Sequence, residues 1–321
     1  MIAPLFVVCA RVCVMMMVVV AMAIASEQRF EPRRAVYVLD TSGATYTACS
    51  LPGLRRYAAA YDWPLHEMTA SSVQRRRDAR QRATQRLGLE RDARAQVRDE
   101  LDADGHFAKL HVFADALERQ YDEILYIDID VVLNERVDIP NVFLHAALPR
   151  DEPAVALYGQ GAPKEPIFDA ILRINPRLRR RVRRDAVSYW NTGVVVVNRA
   201  GMQQMKTLIE AMYAAYVARG LRVADLPFFD QGFANAVLWD AALGVRVRAL
   251  SFAWNASHSK YFYHHGDRFW LREPEYANKT FVPFVFHFMG CAGRNQTQED
   301  GEECKYKRMR EFASEHLELA C

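Results

Sequence analysis

The sequence lacks a glycine-rich phosphate-binding loop and any Cys-x-x-Cys pair. The first absence disfavours a nucleotidyltransferase or phosphotransferase, and the second disfavours a zinc site. Charge of one sign is also scarce, because 42 Lys and Arg against 39 Asp and Glu leave a net charge of +3. So small a surplus does not argue for nucleic-acid binding. No repeat and no linker divides the 321 residues, and 51% of them are hydrophobic, so one large domain with a buried core is the simplest organisation.

The N-terminus is apolar. Residues 12–25 carry no charge, Arg11 precedes them, and the small residues of Ala23-Ile24-Ala25 are typical of a signal-peptidase site. The pattern predicts a cleaved signal peptide over 1–25 and a short stem over 26–34. The alternative is an uncleaved membrane anchor, in which a charged arginine near the middle would be costly. Under either interpretation we expect the rest of the chain in the lumen of the secretory pathway, in the Golgi or the endoplasmic reticulum, or outside the cell.

Glycosylation patterns and cysteines agree with an oxidising, lumenal compartment. Three asparagines begin an Asn-x-Ser/Thr pattern, namely Asn255, Asn278 and Asn295. Beyond the N-terminal stretch the cysteines are even in number, namely Cys49, Cys291, Cys304 and Cys321. Cys291 and Cys304 bracket a polar loop and are the expected disulfide pair, which would stabilise the fold by about 3 kcal/mol. The alternative is that all four are free thiols.

Continuous apolar runs alternate with segments of helical spacing. Predicted strands cover 35–39, 63–68, 124–127, 154–158, 194–197, 245–250 and 284–288. Predicted helices cover 52–61, 107–117, 167–184 with an interruption at Pro176, 202–219 and 228–238. Because the strands are apolar throughout, the fold class is expected to be α/β, with a mostly parallel central sheet and helices on both faces. Residues 70–100 are rich in Arg, Gln and Asp, which predicts a polar helical insertion.

Two carboxylates stand at the end of a strand-like run. Asp128 and Asp130 directly follow residues 124–127, and strand alternation places both on one face. An ionised carboxylate is costly in a core unless it is paired or bound to a metal. Ligands of open α/β sheets bind beyond the carboxyl ends of the strands, where a divalent cation would bridge to phosphate oxygens. The alternative is a turn with two exposed aspartates, which the apolar residues 131–133 disfavour.

Five blocks of sequence occur in an order that resembles glycosyltransferase family 8 and related GT-A enzymes. The blocks are Asp-x-Asp at 128–130, Trp-Asn-Thr-Gly-Val-Val-Val-Val-Asn at 190–198, Asp-Gln-Gly-Phe-Ala-Asn at 230–235, Trp-Asn at 254–255 and His-Phe-Met-Gly at 287–290. Each block is common alone, but the five in this order are specific. The resemblance spans roughly residues 36–291 and implies a single GT-A domain over 35–300, followed by a helical tail over 301–321.

The resemblance implies a role for each matching residue. The metal, Mn²⁺ or Mg²⁺, would be bound by Asp128, Asp130 and His287, and an imidazole beside carboxylates suits Mn²⁺ better than Ca²⁺. The nucleotide-sugar donor would be contacted by Asp40, Thr41, Tyr46, Lys109, Asp128 and Arg294. The catalytic groups around the donor sugar would be Asn191, Asp230 and Gln231. Relatives often place a lysine after His-x-x-Gly, and we expect Arg294, shifted by one position, to replace it as a diphosphate contact.

The function expected from this resemblance is a metal-dependent glycosyltransferase. It would move a hexose or pentose from a nucleotide-diphosphate sugar, expected to be a UDP-sugar, to a glycan or glycoprotein acceptor, with retention of anomeric configuration. The alternative is a non-catalytic secreted protein of the same fold that binds sugar nucleotide or glycan without transfer. The presence of all three implied metal ligands favours the enzyme.

Overall fold

The computed structural model describes residues 31–40, 46–86, 101, 107–226, 228–257, 262–265, 268–271, 280–281, 283–288 and 298–317. The chain divides after Arg33, and the description below concerns the compact unit Arg34–Cys321. The predicted signal segment, 1–25, lies outside the described residues. Within those residues, no helix has the length and apolar character needed to span a bilayer.

Twelve strands occur in the described part of the chain. They are β1 (Arg34–Asp40), β2 (Leu65–Thr69), β3 (Glu123–Asp128), β4 (Val131–Leu133), β5 (Ala154–Gly159), β6 (Trp190–Asn198), β7 (Arg246–Ala249), β8 (Ala256–Ser257), β9 (Phe262–His265), β10 (Arg268–Leu271), β11 (Thr280–Phe281) and β12 (Val285–His287). Six of them form the central sheet in the order β2-β1-β3-β6-β5-β7. β6 is antiparallel to its neighbours β3 and β5, and the other pairs are parallel. The predicted mostly parallel sheet is therefore confirmed.

Helices cover both faces of this sheet, as predicted. They are α1 (Thr47–Ala60), α2 (Ala70–Arg86), α3 (Lys109–Glu118), α4 (Val142–Ala146), α5 (Glu165–Ile174), α6 (Arg199–Val217), α7 (Phe229–Leu238) and α8 (Gln298–Leu317). The inner residues of β1, 35–39, are apolar because both faces of the strand are buried: Tyr37 belongs to the core under α3, α6 and α7, whereas Val36 and Val38 belong to the core under α1, α4 and α8. A strand that is buried on both faces has no polar positions.

A small second sheet places strand β12 beside β4, the strand that follows β3. β12 lies between β4 and β8, antiparallel to β4 and parallel to β8. Helix α8 packs on this sheet through Phe312, whose ring centroid lies 4.5 Å from that of Phe286 and 5.6 Å from that of Phe288. The residue between these two phenylalanines is His287, so the packing of α8 supports the strand that carries it.

The structure corrects several details of the predicted elements. The basic stretch 167–184 is a helix only to Ile174, and 3₁₀ turns at Pro176–Arg180 and Arg184–Ala186 replace the rest, because proline has no N–H for a helix to use. The three-stranded antiparallel sheet β9-β10-β11 was not predicted, since its strands are too short to show a period. Cys49 is disulfide-bonded, which makes the free-thiol alternative wrong. The predicted Cys291–Cys304 pair includes Cys291, which lies outside the described residues.

The Arg-rich segment after β2 is helical over Ala70–Arg86, and residues 87–100 lie outside the description. Val73 joins the hydrophobic core, and Arg76 forms ion pairs with Asp115 (2.5 Å) and Glu118 (2.6 Å) of α3. Asp115 also accepts a hydrogen bond from the hydroxyl of Tyr37 in β1 (2.8 Å). The polar helix is therefore anchored to the central sheet through one buried carboxylate.

Candidate active site

Two aspartates and a histidine meet at the carboxyl end of β3. Asp128 ends β3, Asp130 lies in the turn before β4, and His287 ends β12. The antiparallel register of β12 and β4 sets His287 opposite Val131, next to Asp130. Nε2 of His287 lies 3.2 Å from Oδ1 of Asp130 and 4.0 Å from Oδ2 of Asp128. One ligand atom from each of the three lies within 4.8 Å of the others, a spacing that suits one shared metal ion.

Hydrogen bonds behind His287 determine which of its ring nitrogens carries a proton. The N–H of Gly193 donates to Oδ1 of Asn191 (2.8 Å), which identifies that atom as an acceptor. Nδ2 of Asn255 donates to the same oxygen (2.8 Å), so Oδ1 of Asn255 faces Nδ1 of His287 at 2.9 Å. Because a carboxamide oxygen only accepts, Nδ1 carries the proton and Nε2 points at the carboxylates. The donor set of two carboxylates and one imidazole nitrogen fits a divalent transition metal.

Gly193 provides the space in which this imidazole lies. A Cβ at position 193 would lie 2.7 Å from Nδ1 of His287, closer than real Cβ atoms approach, and 3.0 Å from Oδ1 of Asn191, which is also a tight contact. The glycine in the Asn-Thr-Gly block of β6 is therefore required by the close approach of a side chain from β12, not by an unusual backbone angle.

Asp130 has a second basic neighbour in helix α8. Nζ of Lys305 lies 2.7 Å from Oδ2 of Asp130, while Oδ1 faces His287. Burial alone would raise the pKa of Asp130, but His287, when its imidazole is protonated, and the ammonium of Lys305 hold that pKa well below the usual range. Asp130 is therefore ionised, as a metal ligand must be.

Lys109, the first residue of α3, joins Asp128 to a third carboxylate. Its Nζ lies 3.3 Å from Oδ1 of Asp128, 3.0 Å from Oδ2 of Asp230 and 3.1 Å from Oγ1 of Thr192. Burial alone would lower the pKa of Lys109, but the charges of Asp128 and Asp230 raise it above its usual value. The hydroxyl of Tyr126 donates to Oδ1 of Asp128 (2.5 Å), so Asp128 is bonded from two sides.

Asp230 follows a strained turn at the start of α7. Phe228 has a φ of 60° and Phe229 a φ of 23°, and a left-handed backbone at bulky residues is uncommon away from functional sites. Burial raises the pKa of Asp230, Lys109 opposes this rise, and Asp128 adds to it. A partly buried carboxylate is thus held beside the candidate metal site by one shared lysine.

Comparison with known protein families identifies the family of this chain. The family model described as glycosyl transferase family 8 matches residues 106–292, a segment that contains Lys109, both aspartates of the pair, Asp230 and His287. The chain belongs to glycosyl transferase family 8. It is therefore a glycosyltransferase, and the non-catalytic alternative is not supported. A search of curated proteins found no match.

Two solved structures are similar to this glycosyltransferase at low identity. One is a glycosyltransferase involved in the glycosylation of the major capsid of PBCV-1, with 11% identity, 85% of this chain and 99% of that chain covered, and a TM-score of 0.43. The other is mouse xyloside xylosyltransferase 1 in its apo form, with 15% identity, 79% of this chain and 97% of that chain covered, and a TM-score of 0.43. The assignment to the family rests on the match over 106–292 and not on these likenesses.

The structure places several other predicted residues of this family 8 enzyme near the same edge of the sheet. Oε1 of Gln231 accepts from the backbone N–H of Thr192 (3.2 Å), whose side chain contacts Lys109. Asp40 ends β1, and the residue before it pairs with Asp128 across the sheet. Gln231 and Asp40 therefore lie beside the group that contains Asp128.

The remaining predicted residues either have buried side chains or lie outside the described residues. The side chain of Tyr46 is buried in the core under α1, where it is 4% exposed, and its contact with a nucleobase stays a prediction. Asn191 is 1% exposed and lies behind His287, so its contact with a donor sugar also stays a prediction. Thr41 and Arg294 lie outside the described residues.

The roles of three residues at the site were not identified from the sequence. Asn255 belongs to the Trp-Asn block and begins a glycosylation pattern, but the sequence assigned no contact to its side chain. It is 1% exposed and bonds to His287 and Asn191, so a glycan on it is incompatible with this fold. Thr192 contacts Lys109 through its hydroxyl and Gln231 through its N–H. Lys305 lies outside every block of the resemblance, and nothing distinguishes it in sequence from the other lysine of its helix. Asn278 and Asn295 lie outside the described residues.

Proposed function

We propose that this glycosyltransferase moves a hexose or pentose from a UDP-sugar to a glycan or glycoprotein acceptor, with retention of anomeric configuration, and that it uses a divalent metal, Mn²⁺ or Mg²⁺. The observation that carries the metal dependence is the orientation of His287, whose Nε2 faces Asp130 at 3.2 Å while its Nδ1 bonds to Asn255. An imidazole nitrogen beside ionised carboxylates supports Mn²⁺ over Ca²⁺.

The metal would be held by Asp128, Asp130 and His287. When bound, it would supply a Lewis acid that accepts phosphate oxygens of the donor and offsets the charge of the departing diphosphate. Oδ2 of Asp128 faces His287, whereas Oδ1 bonds to Tyr126 and lies near Lys109. The protein thus orients Asp128 for binding before any ligand arrives, which reduces the reorganisation needed for catalysis.

The sugar would lie beside Asp230 and Gln231. As the bond from the anomeric carbon to the diphosphate breaks, positive charge develops on the sugar, and oxygen atoms nearby stabilise it. The carboxylate of Asp230 supplies such an oxygen, and Lys109, 3.0 Å away, holds it in place. We propose that the acceptor hydroxyl attacks from the same face that the diphosphate leaves: its oxygen bonds to the anomeric carbon as the bond to the diphosphate oxygen breaks, and its proton passes to that diphosphate oxygen. This retains configuration without a covalent intermediate on Asp230.

The first test is a donor screen with the full-length protein. UDP-glucose, UDP-galactose, UDP-xylose and GDP-mannose are each incubated with Mn²⁺ and the protein, and slow release of the nucleoside diphosphate is measured. We expect release from at least one UDP-sugar and its loss on addition of EDTA. Asp130→Ala should abolish release, whereas Asp185→Ala should not, because Asp185 is exposed and pairs with the exposed Arg183. Full activity of the Asp130→Ala protein would contradict the proposal.

A second test addresses the stereochemistry of sugar transfer. The NMR signal of the anomeric proton, observed during early turnover, should show that the transferred sugar retains the configuration of the donor.

We also propose that the protein functions in the lumen of the secretory pathway, which its N-terminal pattern and the disulfide at Cys49 support. Protease protection of a C-terminal tag in intact microsomes, lost on adding detergent, would agree with this location. Cleavage of the tag without detergent would contradict it.

A further inference from the structure

Helix α8 brings a lysine to the candidate metal site from beyond the family match. Nζ of Lys305 lies 2.7 Å from Oδ2 of Asp130, and Oδ1 of the same carboxylate lies 3.2 Å from Nε2 of His287. The matched segment ends at residue 292, and α8 begins at Gln298. The contact therefore belongs to this chain's own C-terminal helix.

The position of Lys305 is determined by core packing. Met309, Phe312 and Ala313 are buried, and helical spacing places Lys305 on the same face, one turn before Met309. Phe312 packs on Phe286 and Phe288, the neighbours of His287 in sequence. The packing that supports the strand of His287 thus also directs Lys305 to the site.

We propose that Lys305 is a catalytic residue that binds the diphosphate of the donor, an inference that rests on the proposed function. A divalent cation held by Asp128, Asp130 and His287 would offset both carboxylate charges, so Asp130 would no longer depend on a lysine for compensation. Lys109 is already shared by Asp128 and Asp230. Among the described residues, Lys305 is then the ammonium beside these ligands that pairs with a single carboxylate, Asp130, which it can exchange for phosphate oxygens.

The chemistry of the side chain suits this exchange. A lysine ammonium is a compact charge on a flexible stem, so it can move from one anion to a neighbouring one. The side chain of Lys305 is 28% exposed, which leaves one side open to an incoming ligand. When the bond between the anomeric carbon and the diphosphate oxygen breaks, the electron pair remains on that oxygen, and the Lys305 ammonium would stabilise the charge without transferring its proton.

The inference predicts effects of opposite sign on two binding constants. In Lys305→Met, the ammonium no longer competes with Mn²⁺ for Asp130 and no longer repels the ion, so Mn²⁺ alone should bind more tightly. UDP loses a charged partner, so in saturating Mn²⁺ its affinity should fall about 10- to 100-fold. Damage to the packing of α8 would instead weaken both ligands together. Lys305→Arg keeps the charge and should restore part of the UDP affinity.

The control is Lys307→Met in the same helix. Lys307 is 69% exposed and lies 3.9 Å from Glu311, so its replacement should change neither affinity. Mn²⁺ binding is followed by electron paramagnetic resonance, UDP binding by calorimetry, and folding by the thermal midpoint in EDTA. Tighter Mn²⁺ binding with weaker UDP binding in Lys305→Met supports the inference.

Two results would overturn it. If the wild type binds both ligands and Lys305→Met binds UDP as tightly as the wild type, the inference fails and the proposed function stands. If both affinities fall together with the thermal midpoint, Lys305 only supports the fold. Wild-type protein that binds neither Mn²⁺ nor UDP would overturn the proposed function, and this inference with it.

Discussion

Oδ1 of Asn255 lies 2.9 Å from Nδ1 of His287 and thereby selects the tautomer that presents Nε2 to the two aspartates. Replacing Asn255 with Leu removes this acceptor while keeping most of the volume. Because a partner that orients a ligating histidine typically contributes 10–100-fold to metal affinity, we expect Mn²⁺ to bind about 10- to 100-fold more weakly. The measurement is a Mn²⁺ titration by electron paramagnetic resonance.

A matched control separates this effect from the cost of losing any buried asparagine. Asn175 is also buried, and its Nδ2 donates to Asp240 (3.2 Å) on the far side of α7. Asn175→Leu should lower stability to a similar extent and leave Mn²⁺ affinity unchanged. Equal Mn²⁺ affinity in the two variants would show that Asn255 does not act through His287.

Gly193→Ala should displace the imidazole of His287. Its Cβ would lie 2.7 Å from Nδ1 of His287, and the next residue, Val194, is paired with Ile127 of β3, which restrains the strand beside the clash. We expect the variant to lose the gain in thermal midpoint that Mn²⁺ gives the wild type, because binding stabilises the folded state only when the site is intact. Gly201→Ala is the control: its Cβ would lie 2.8 Å from Oδ1 of Asn198, so it should also lose stability but keep the response to Mn²⁺.

Lys109→Met should destabilise the protein and shift its pH–rate profile. Lys109 is the shared cation of two partly buried carboxylates, so its removal leaves Asp128 and Asp230 without that partner and costs about 2 kcal/mol of unfolding free energy. Lys109 is the largest influence that lowers the pKa of Asp230, so that pKa, already raised by burial, should rise further. A rate that needs ionised Asp230 falls as the pH drops through this pKa, and the acid limb should therefore move to higher pH. Urea unfolding in EDTA and kcat measured across pH test both effects, and an unshifted acid limb would exclude Asp230 as the titrating group.

The free energy of unfolding should depend on pH through Asp115, the carboxylate that joins Arg76 of α2 to Tyr37 of β1. Burial alone would raise its pKa, but hydrogen bonds from Tyr37 and Arg119 and the charge of Arg76 lower it. A carboxylate with a lowered folded-state pKa stabilises above its unfolded pKa of about 3.9, and this stability is lost as the pH falls through the folded-state value. Asp115→Asn should cost about 2 kcal/mol of unfolding free energy at pH 7 and flatten the decline in acid.

Urea unfolding in EDTA between pH 7 and pH 3 measures the contribution of Asp115. Glu118→Gln is the control, because Glu118 also pairs with Arg76 but its side chain is 69% exposed, where an ion pair contributes little. If Asp115→Asn and Glu118→Gln lose the same free energy at every pH, the carboxylate of Asp115 is not the anchor.

Local patterns were enough to predict the sheet and its first two ligands. The apolar run of β3 is buried on both faces, and this constraint acts on neighbouring residues, so it is visible in a short window of sequence. The same patterns could not show that β6 is antiparallel to β3. A strand covered on both faces is apolar in either direction, and its direction depends on the connections between distant segments.

Local sequence patterns predict an α/β sheet that ends in Asp128 and Asp130, because periodicity and burial are properties of contiguous residues, and the order of the blocks adds His287 and Lys109. The contacts that hold these residues together are visible only in the folded chain. His287 arrives through the register of β12 with β4, and Lys305 through the packing of α8 on Phe286 and Phe288. Asn255 looks like a glycosylation pattern in sequence and is a buried partner of His287 in the fold. These roles depend on contacts between segments far apart in the chain, which no local pattern encodes.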